Sequence, residues 1–269
     1  MAIYNVSGSN VYTENPILDD ALLHLLYTNS TSPKADLQGV TTDGRYIYVV
    51  EYNRSTIYKY EILTGTITSA TYSNNVCGHG NGATYNPVTN KLYIATCNQD
   101  GGEGIAVFTT SLTYDSTIHV YNASGTEQKV AGIAYNRLDN KYYCCWENDY
   151  YVYDSNFELV RTFNVDHTHP YIYGALETDG EYLYRPLWDN TSSPHKNYIA
   201  VYDFSGNHKK TINVDSTLEI EDVAYDWNGN WYTGINVDGG IGWRLYYSPI
   251  RKYAEIAEVN QLIQIWSLT

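Results

Sequence analysis

One phrase returns five times along the chain: Val40-Thr41-Thr42-Asp43-Gly44, Ala83-Thr84-Tyr85-Asn86-Pro87, Ile133-Ala134-Tyr135-Asn136-Arg137, Ala175-Leu176-Glu177-Thr178-Asp179-Gly180 and Val223-Ala224-Tyr225-Asp226-Trp227. The Asp or Asn that closes it recurs at intervals of 43, 50, 43 and 47 residues. All-strand repeats of about 40 to 50 residues mark the blades of a propeller. The sequence therefore predicts an all-β fold, a five-bladed β-propeller of four-stranded antiparallel blades.

Each phrase ends in a turn pair that tolerates positive φ: Asp43-Gly44, Thr89-Asn90, Asp139-Asn140, Asp179-Gly180 and Asn228-Gly229. Such pairs between apolar runs signal hairpins. Second strands follow at Tyr46 to Val50, Leu92 to Thr96, Tyr142 to Trp146, Tyr182 to Tyr184 and Trp231 to Thr233. Third strands are expected at Ile57 to Tyr60, Ile118 to Asn122, Tyr151 to Asp154, Ile199 to Asp203 and Trp243 to Tyr247, with a further turn opening a fourth strand in most units. The blades run approximately over 37–74, 77–128, 130–165, 171–214 and 219–269, after a leader at 1–20.

A propeller must close, or it leaves two exposed sheet edges. Residues 21–27 sit where a fourth strand precedes each later repeat, so this N-terminal strand is expected on the outside of the last blade. A short helix from Pro16 to Tyr27 is the competing reading, and Gln261 to Leu268 alternates well enough to be a strand of the same blade.

A formal charge of −14 argues against sequence-independent nucleic-acid binding, which depends on Lys and Arg neutralising phosphates. No run is long enough to span a membrane and no secretion signal is recognisable, so neither membrane insertion nor the usual export route is expected. The four cysteines lack metal-type spacing and read as buried or idle thiols. No cofactor is implied. Most of the 30 tyrosines are accounted for as packing between stacked sheets, while those at strand ends could form rigid platforms for sugars.

Binding residues concentrate on scaffold-held loops. In a propeller, the blade-to-blade connections and the loops between second and third strands share one face. On this loop face the sequence places Tyr52, Arg54, His79, Asn81, Asn98, Trp146, His169, Arg185, Trp188, Asp189 and Asp222 as candidate ligand contacts. Cys77-Gly78-His79-Gly80-Asn81-Gly82 is the least ordinary segment. Its glycines either present His79 to a ligand or merely let inner strands crowd together. His167 and His169 are two apart with no evident third ligand, and residues 98–103 lack the alternating pattern of calcium loops, so no metal is expected.

The repeat over residues 37 to 260, the Gly78-His79-Gly80-Asn81 run leading into Thr84-Tyr85-Asn86-Pro87, and Tyr4-Asn5-Val6-Ser7-Gly8 together resemble the five-bladed propeller domains of bacteriophage tail receptor-binding proteins. The resemblance implies a virion-tail location and non-catalytic attachment to a cell-surface glycan or cell-wall glycopolymer, with homo-oligomerisation on a larger particle. No catalytic residue carries over. The acidic charge suits a neutral polysaccharide better than an anionic polymer, unless Arg54, His79, His169 or Arg185 forms a basic pocket. Two other classes stay open: a glycan-cleaving hydrolase using Glu147, Asp166, Asp189, Glu221 or Asp222, and a protein-interaction scaffold.

Overall fold

The computed structural model describes residues 24–30, 36–52, 55–73, 75–97, 104–165, 172–173, 175–214, 216–237 and 242–248. Among these, every regular element is a strand. Strand β1 (His24–Asn29) comes first. Blade one comprises β2 (Leu37–Thr42), β3 (Tyr46–Glu51), β4 (Thr56–Glu61) and β5 (Ile67–Thr71). Blade two comprises β6 (Gly82–Asn86), β7 (Lys91–Ala95), β8 (Ile105–Thr109) and β9 (Tyr114–Ile118). Blade three comprises β10 (Gly132–Asn136), β11 (Lys141–Trp146), β12 (Asp149–Tyr153) and β13 (Leu159–Asn164). In blade four the inner strand is split into β14 (Ile172–Tyr173) and β15 (Glu177–Thr178), followed by β16 (Leu183–Asp189), β17 (Lys196–Tyr202) and β18 (His208–Val214). Blade five holds β19 (Ile220–Tyr225), β20 (Trp231–Asn236) and β21 (Trp243–Ser248), with β1 as its fourth strand.

The ring is closed by that last pairing. β1 runs antiparallel to β21, with Asn29 opposite Trp243 and His24 opposite Tyr247. His24 to Tyr27 is therefore strand rather than helix, and the pairing extends to Asn29. The leader at 1–20, the remainder of the alternative helix and the run from Gln261 to Leu268 lie outside the described residues.

The recurring phrase has a physical cause. Each closing Asp or Asn turns its Oδ1 onto the backbone of its own hairpin: Asp43 accepts from Arg45 N and Tyr46 N, Asn86 from Val88 N, Asn136 from Leu138 N, Asp179 from Glu181 N and Tyr182 N, and Asp226 from Asn228 N and Asn230 N. Short polar side chains that bond locally in this way favour turns. The second residue of every predicted turn pair takes positive φ, from 55° at Asn90 to 95° at Gly229.

Blade two departs from expectation. Its third strand is Ile105–Thr109 and its fourth ends at Ile118, so Ile118 to Asn122 is not the third strand. The Ile105-Ala106-Val107-Phe108 run is buried against β7, whereas Tyr121 makes only an isolated bridge to Glu127 around the turn at Ser124-Gly125. That extra turn accounts for the 50-residue interval, the longest of the four.

Five apolar clusters fill the ring, each lying between two neighbouring blades, including one that joins blade five to blade one through Trp243, Leu245, Leu37 and Val40. Fully burying one such side chain contributes about 1.5–3 kcal/mol, so closure is driven by the same force as each blade contact. Twelve of the described tyrosines are buried in these layers, among them Tyr48, Tyr135, Tyr150 and Tyr202. All four cysteines are buried and free, and burial pushes the Cys77 thiol up to about 12 and Cys97 to about 11. They are held as inert thiols.

Candidate ligand face and axial carboxylates

The five inner strands surround the axis. Four residues before the closing Asp or Asn stand Gly39, Gly82, Gly132, Ala175 and, in blade five, Asp222. At this level the strands crowd together: a Cβ placed on Gly82 would lie 3.0 Å from Ala175 Cβ, in a blade that is not its neighbour, and 3.2 Å from Gly132 Cα. Four blades supply little or no side chain here and the fifth fills the space with a carboxyl. Asp222 Oδ2 accepts from Val40 N at 2.7 Å, Oδ1 from Val223 N at 2.7 Å, and Ala83 N also donates to it. One side chain thus ties blades five, one and two together across the axis. It lies in β19 and is 0% exposed, not in a blade-to-blade loop. Ile220 and Glu221 belong to the same inner strand, which pairs with β20. Burial pushes Asp222 well above the usual carboxylate range against those three amides.

Glu177 has a related role in blade four. Its Oε1 accepts from Thr178 N at 2.7 Å and its Oε2 from Tyr225 N at 3.3 Å, and burial pushes it up to about 8 against those bonds and the Arg137 charge. Thr84 does the same in blade two, accepting from Tyr135 N of blade three.

Towards the loop face the surroundings turn polar. Gln38, Asn81, Ala131 and Glu221 occupy the next position towards that face. Asn236 links two blades there, donating from Nδ2 to Glu221 Oε1 at 2.6 Å and accepting at Oδ1 from Leu37 N at 2.8 Å. Glu219 and Glu221 share a hydrogen bond, and burial and mutual repulsion push Glu221 far up, with Glu219 raised chiefly by burial. Such a pair retains a proton near neutrality.

His79 and Tyr52 are brought together from blades two and one, with ring centroids 4.3 Å apart and planes tilted by 37°. The flanking glycines are required by backbone contact: Gly78 has φ 54°, and a Cβ there would lie 2.3 Å from Thr96 O, the same carbonyl that accepts from His79 N at 2.7 Å. The glycines therefore serve close packing, and the Thr96 carbonyl fixes the backbone at His79. Asn81, one residue before β6, has an enclosed Oδ1 with no hydrogen-bond partner among the described residues.

Trp146 and Trp188 lie at the ends of β11 and β16 on the same face, each partly exposed. The Lys129 ammonium sits 5.1 Å from the Trp146 ring. Trp188 meets His195 edge-on, and its Nε1 is enclosed without an acceptor among the described residues. Asp189 spends Oδ1 on Thr191 N, Thr191 Oγ1 and Ser192 N, which makes it the organiser of the following turn. Arg185 lies inside β16, 0% exposed, donating to Glu147 O at 2.5 Å and Tyr150 OH at 3.2 Å. Its strand position aims it between blades three and four, so it does not form a basic pocket on the open face. Arg54, Asn98, His169 and Asp166 lie outside the described residues. Among the described residues no group of three His, Cys, Asp or Glu could hold a metal ion, and no helix is long and apolar enough to cross a membrane.

Sequence reasoning assigns no contact to Glu177, Glu219 or Asn236. Aligning the position four residues before the closing Asp or Asn, Gly, Gly, Gly, Ala, Asp, would mark Asp222 as axial rather than loop-borne. No comparable signal marks Glu219 or Asn236, whose roles depend on contacts between blades one and five.

No family model matches the chain, and no curated protein matches it. Solved structures do. The chain is similar to a glutaminyl cyclase of Myxococcus xanthus, with 13% identity, TM-score 0.60, and coverage of 84% of this chain and 96% of that one. It is also similar to the tail fibre of Staphylococcus aureus phage P68, with 12% identity, TM-score 0.56 and 84% of this chain covered; the chain spans about half (52%) of that fibre chain. A calcium-binding regucalcin of Agrobacterium tumefaciens matches with 12% identity, TM-score 0.51, and coverage of 84% and 94%. At such identities the likeness is one of fold, and propellers host many activities.

Proposed function

We propose that this propeller is a non-catalytic glycan-recognition head that attaches a phage tail or tail-like particle to a cell-surface polysaccharide through its loop face. The observation that carries the reading is the pairing of partly exposed aromatic rings with polar groups that have no partner among the described residues: Trp188 with its Nε1 donor, and the Tyr52–His79 pair beside the Oδ1 acceptor of Asn81. A sugar offers a flat apolar face for the rings and hydroxyls that both donate and accept. Buried polar groups left unpaired cost about 1–3 kcal/mol each, a cost that a ligand hydroxyl recovers once the side chain turns outward to meet it.

The axial carboxylates support binding over hydrolysis. Asp222 and Glu177 are enclosed and engaged with backbone amides, so their work is to hold blades together. Shallow individual sites suffice when several copies act on one particle, because linkage raises effective concentration. A neutral glycan agrees with the charge of −14 and with the enclosure of Arg185. The fold shared with a phage tail fibre is compatible with a virion location, and homo-oligomeric display belongs to the same reading. Neither nucleic acid nor membrane enters this reading, and no cofactor is required.

One observation favours a hydrolase as the second reading: the proton-retaining Glu219–Glu221 pair could serve as a general acid. Incubation with cell-wall fractions from Gram-positive bacteria separates the two. Recognition gives saturable co-sedimentation without new reducing ends or released phosphate over hours; hydrolysis gives product that disappears in Glu219→Gln.

A further inference from the structure

The axis has a second mouth on the side of the hairpin turns, and its residues differ in kind. The positions just after the closing Asp or Asn are Gly44, Pro87, Arg137, Gly180 and Trp227. Arg137 and Trp227 therefore come from blades three and five, on either side of Gly180. A Cβ on Gly180 would lie 2.8 Å from Leu138 Cδ1 and 2.9 Å from Trp227 Cζ3, so Leu138 and Trp227 close over blade four. The Arg137 guanidinium carbon stands 5.0 Å from the Trp227 ring centroid, and its charge is felt by Glu177, Tyr85, Tyr135 and Asp226. Those groups belong to blades four, two, three and five. The guanidinium is thus over the axis.

Its hydrogen bonding is incomplete. Nε is enclosed and has no acceptor among the described residues. Arg45, by contrast, is held by Glu61 through two nitrogens, and Arg161 donates to Phe204 O. The acids near Arg137 are committed elsewhere. Asp226 accepts from Asn228 N and Asn230 N at Oδ1 and from Asn230 Nδ2 at Oδ2. Glu177 is bound to two amides and, raised to about 8, carries a proton at neutral pH. A partly buried arginine that forms no ion pair with a carboxylate among the described residues favours an anion that meets its guanidinium directly.

We propose that Arg137, stacked on Trp227 and flanked by Leu138, is the seat of an oxyanion, a carboxylate or phosphate carried by a small ligand with an apolar body. The planar guanidinium fork matches either group, and Leu138, 74% exposed, offers the apolar flank. This site lies at the opposite end of the axis from the glycan face and does not depend on it.

The test is a tryptophan-fluorescence titration of the full chain with inorganic phosphate, acetate and hexanoate at constant ionic strength, with chloride as the reference salt. The expected result is a saturable change absent with chloride, at least tenfold weaker in Arg137→Gln and intermediate in Arg137→Lys, which keeps the charge without the fork. Hexanoate acting more tightly than phosphate assigns the carboxylate source; phosphate acting alone assigns the phosphate source. Should Arg137→Gln lose its cooperative melting, Arg137→Lys and Leu138→Ser carry the comparison, the latter weakening hexanoate more than acetate. Curves that coincide for the parent and the Arg137 variants, or a response reproduced by chloride, overturn the proposal.

Discussion

The two ends of the propeller axis are built from the same five strands yet carry opposite chemistry. On the loop side, Glu219, Glu221, Gln38 and Asn81 surround the mouth, and the rings of Tyr52, His79, Trp146 and Trp188 stand further out. On the turn side, the hairpins are near copies of one another, closed by the same Asp or Asn, and chemistry enters only where Arg137 and Trp227 replace small residues. Between them Asp222 closes the axis. Turns that must fold alike leave few positions free to vary, whereas loops of unequal length are free in nearly all of theirs. Divergence from the repeat is the mark of function at either end, and the loop end has more of it.

The largest effect expected from breaking this arrangement is at the divider. Asp222→Ala reproduces the residue type of blade four but strips an acceptor from Val40 N, Ala83 N and Val223 N. A loss of about 3–5 kcal/mol is expected in urea unfolding. An unchanged midpoint would mean that the axis is not held by this carboxyl. Gly78→Ala comes next, since positive φ and the Thr96 carbonyl both oppose a Cβ. A loss of about 2 kcal/mol, with weakened glycan binding, is the expected outcome, read by thermal melting together with co-sedimentation.

Glu177 lets pH probe the same core. Its folded pKa of about 8 lies above the reference value of 4.5, so the folded state holds the proton more tightly. The associated stability is fully present below pH 4.5 and is lost as pH rises towards and through 8. Stability followed by urea unfolding should therefore fall between about pH 5 and pH 8 by an amount on the order of a few kcal/mol. Glu177→Gln should flatten that slope while costing about 1 kcal/mol at the acid end. An equally steep slope in the variant would place the titration elsewhere, with the Glu219–Glu221 pair as the next group to change.

Much of the scaffold is legible because its signals are local. An Asp or Asn whose Oδ1 caps its own turn leaves the same trace in every blade, and the ring-closing strand is marked by its place ahead of the first repeat. The third strand of blade two is misread because the added turn at Ser124-Gly125 imitates the one that usually follows a third strand. The face is less legible than the fold. Tyr52 and His79 stand in separate blades, and nothing in the sequence says that their rings meet. Arg185 precedes the partly exposed Trp188 on one strand, yet it turns into the layer between blades and is fully enclosed. Inter-blade direction is set by packing, which a single strand's residues do not encode.

The smallest structural perturbation carries the most direct test. Trp188→Ala and His79→Ala remove loop-face rings with little expected effect on folding, while Arg137→Gln alters only the turn-side mouth. Co-sedimentation with Gram-positive cell-wall fractions, with soluble product measured in the same tubes, should show saturable binding by the parent, about tenfold weaker binding by either loop-face variant, unchanged binding by Arg137→Gln, and no product. Equal binding by the parent and both loop-face variants, or product accumulating with the parent, would contradict attachment through the loop face.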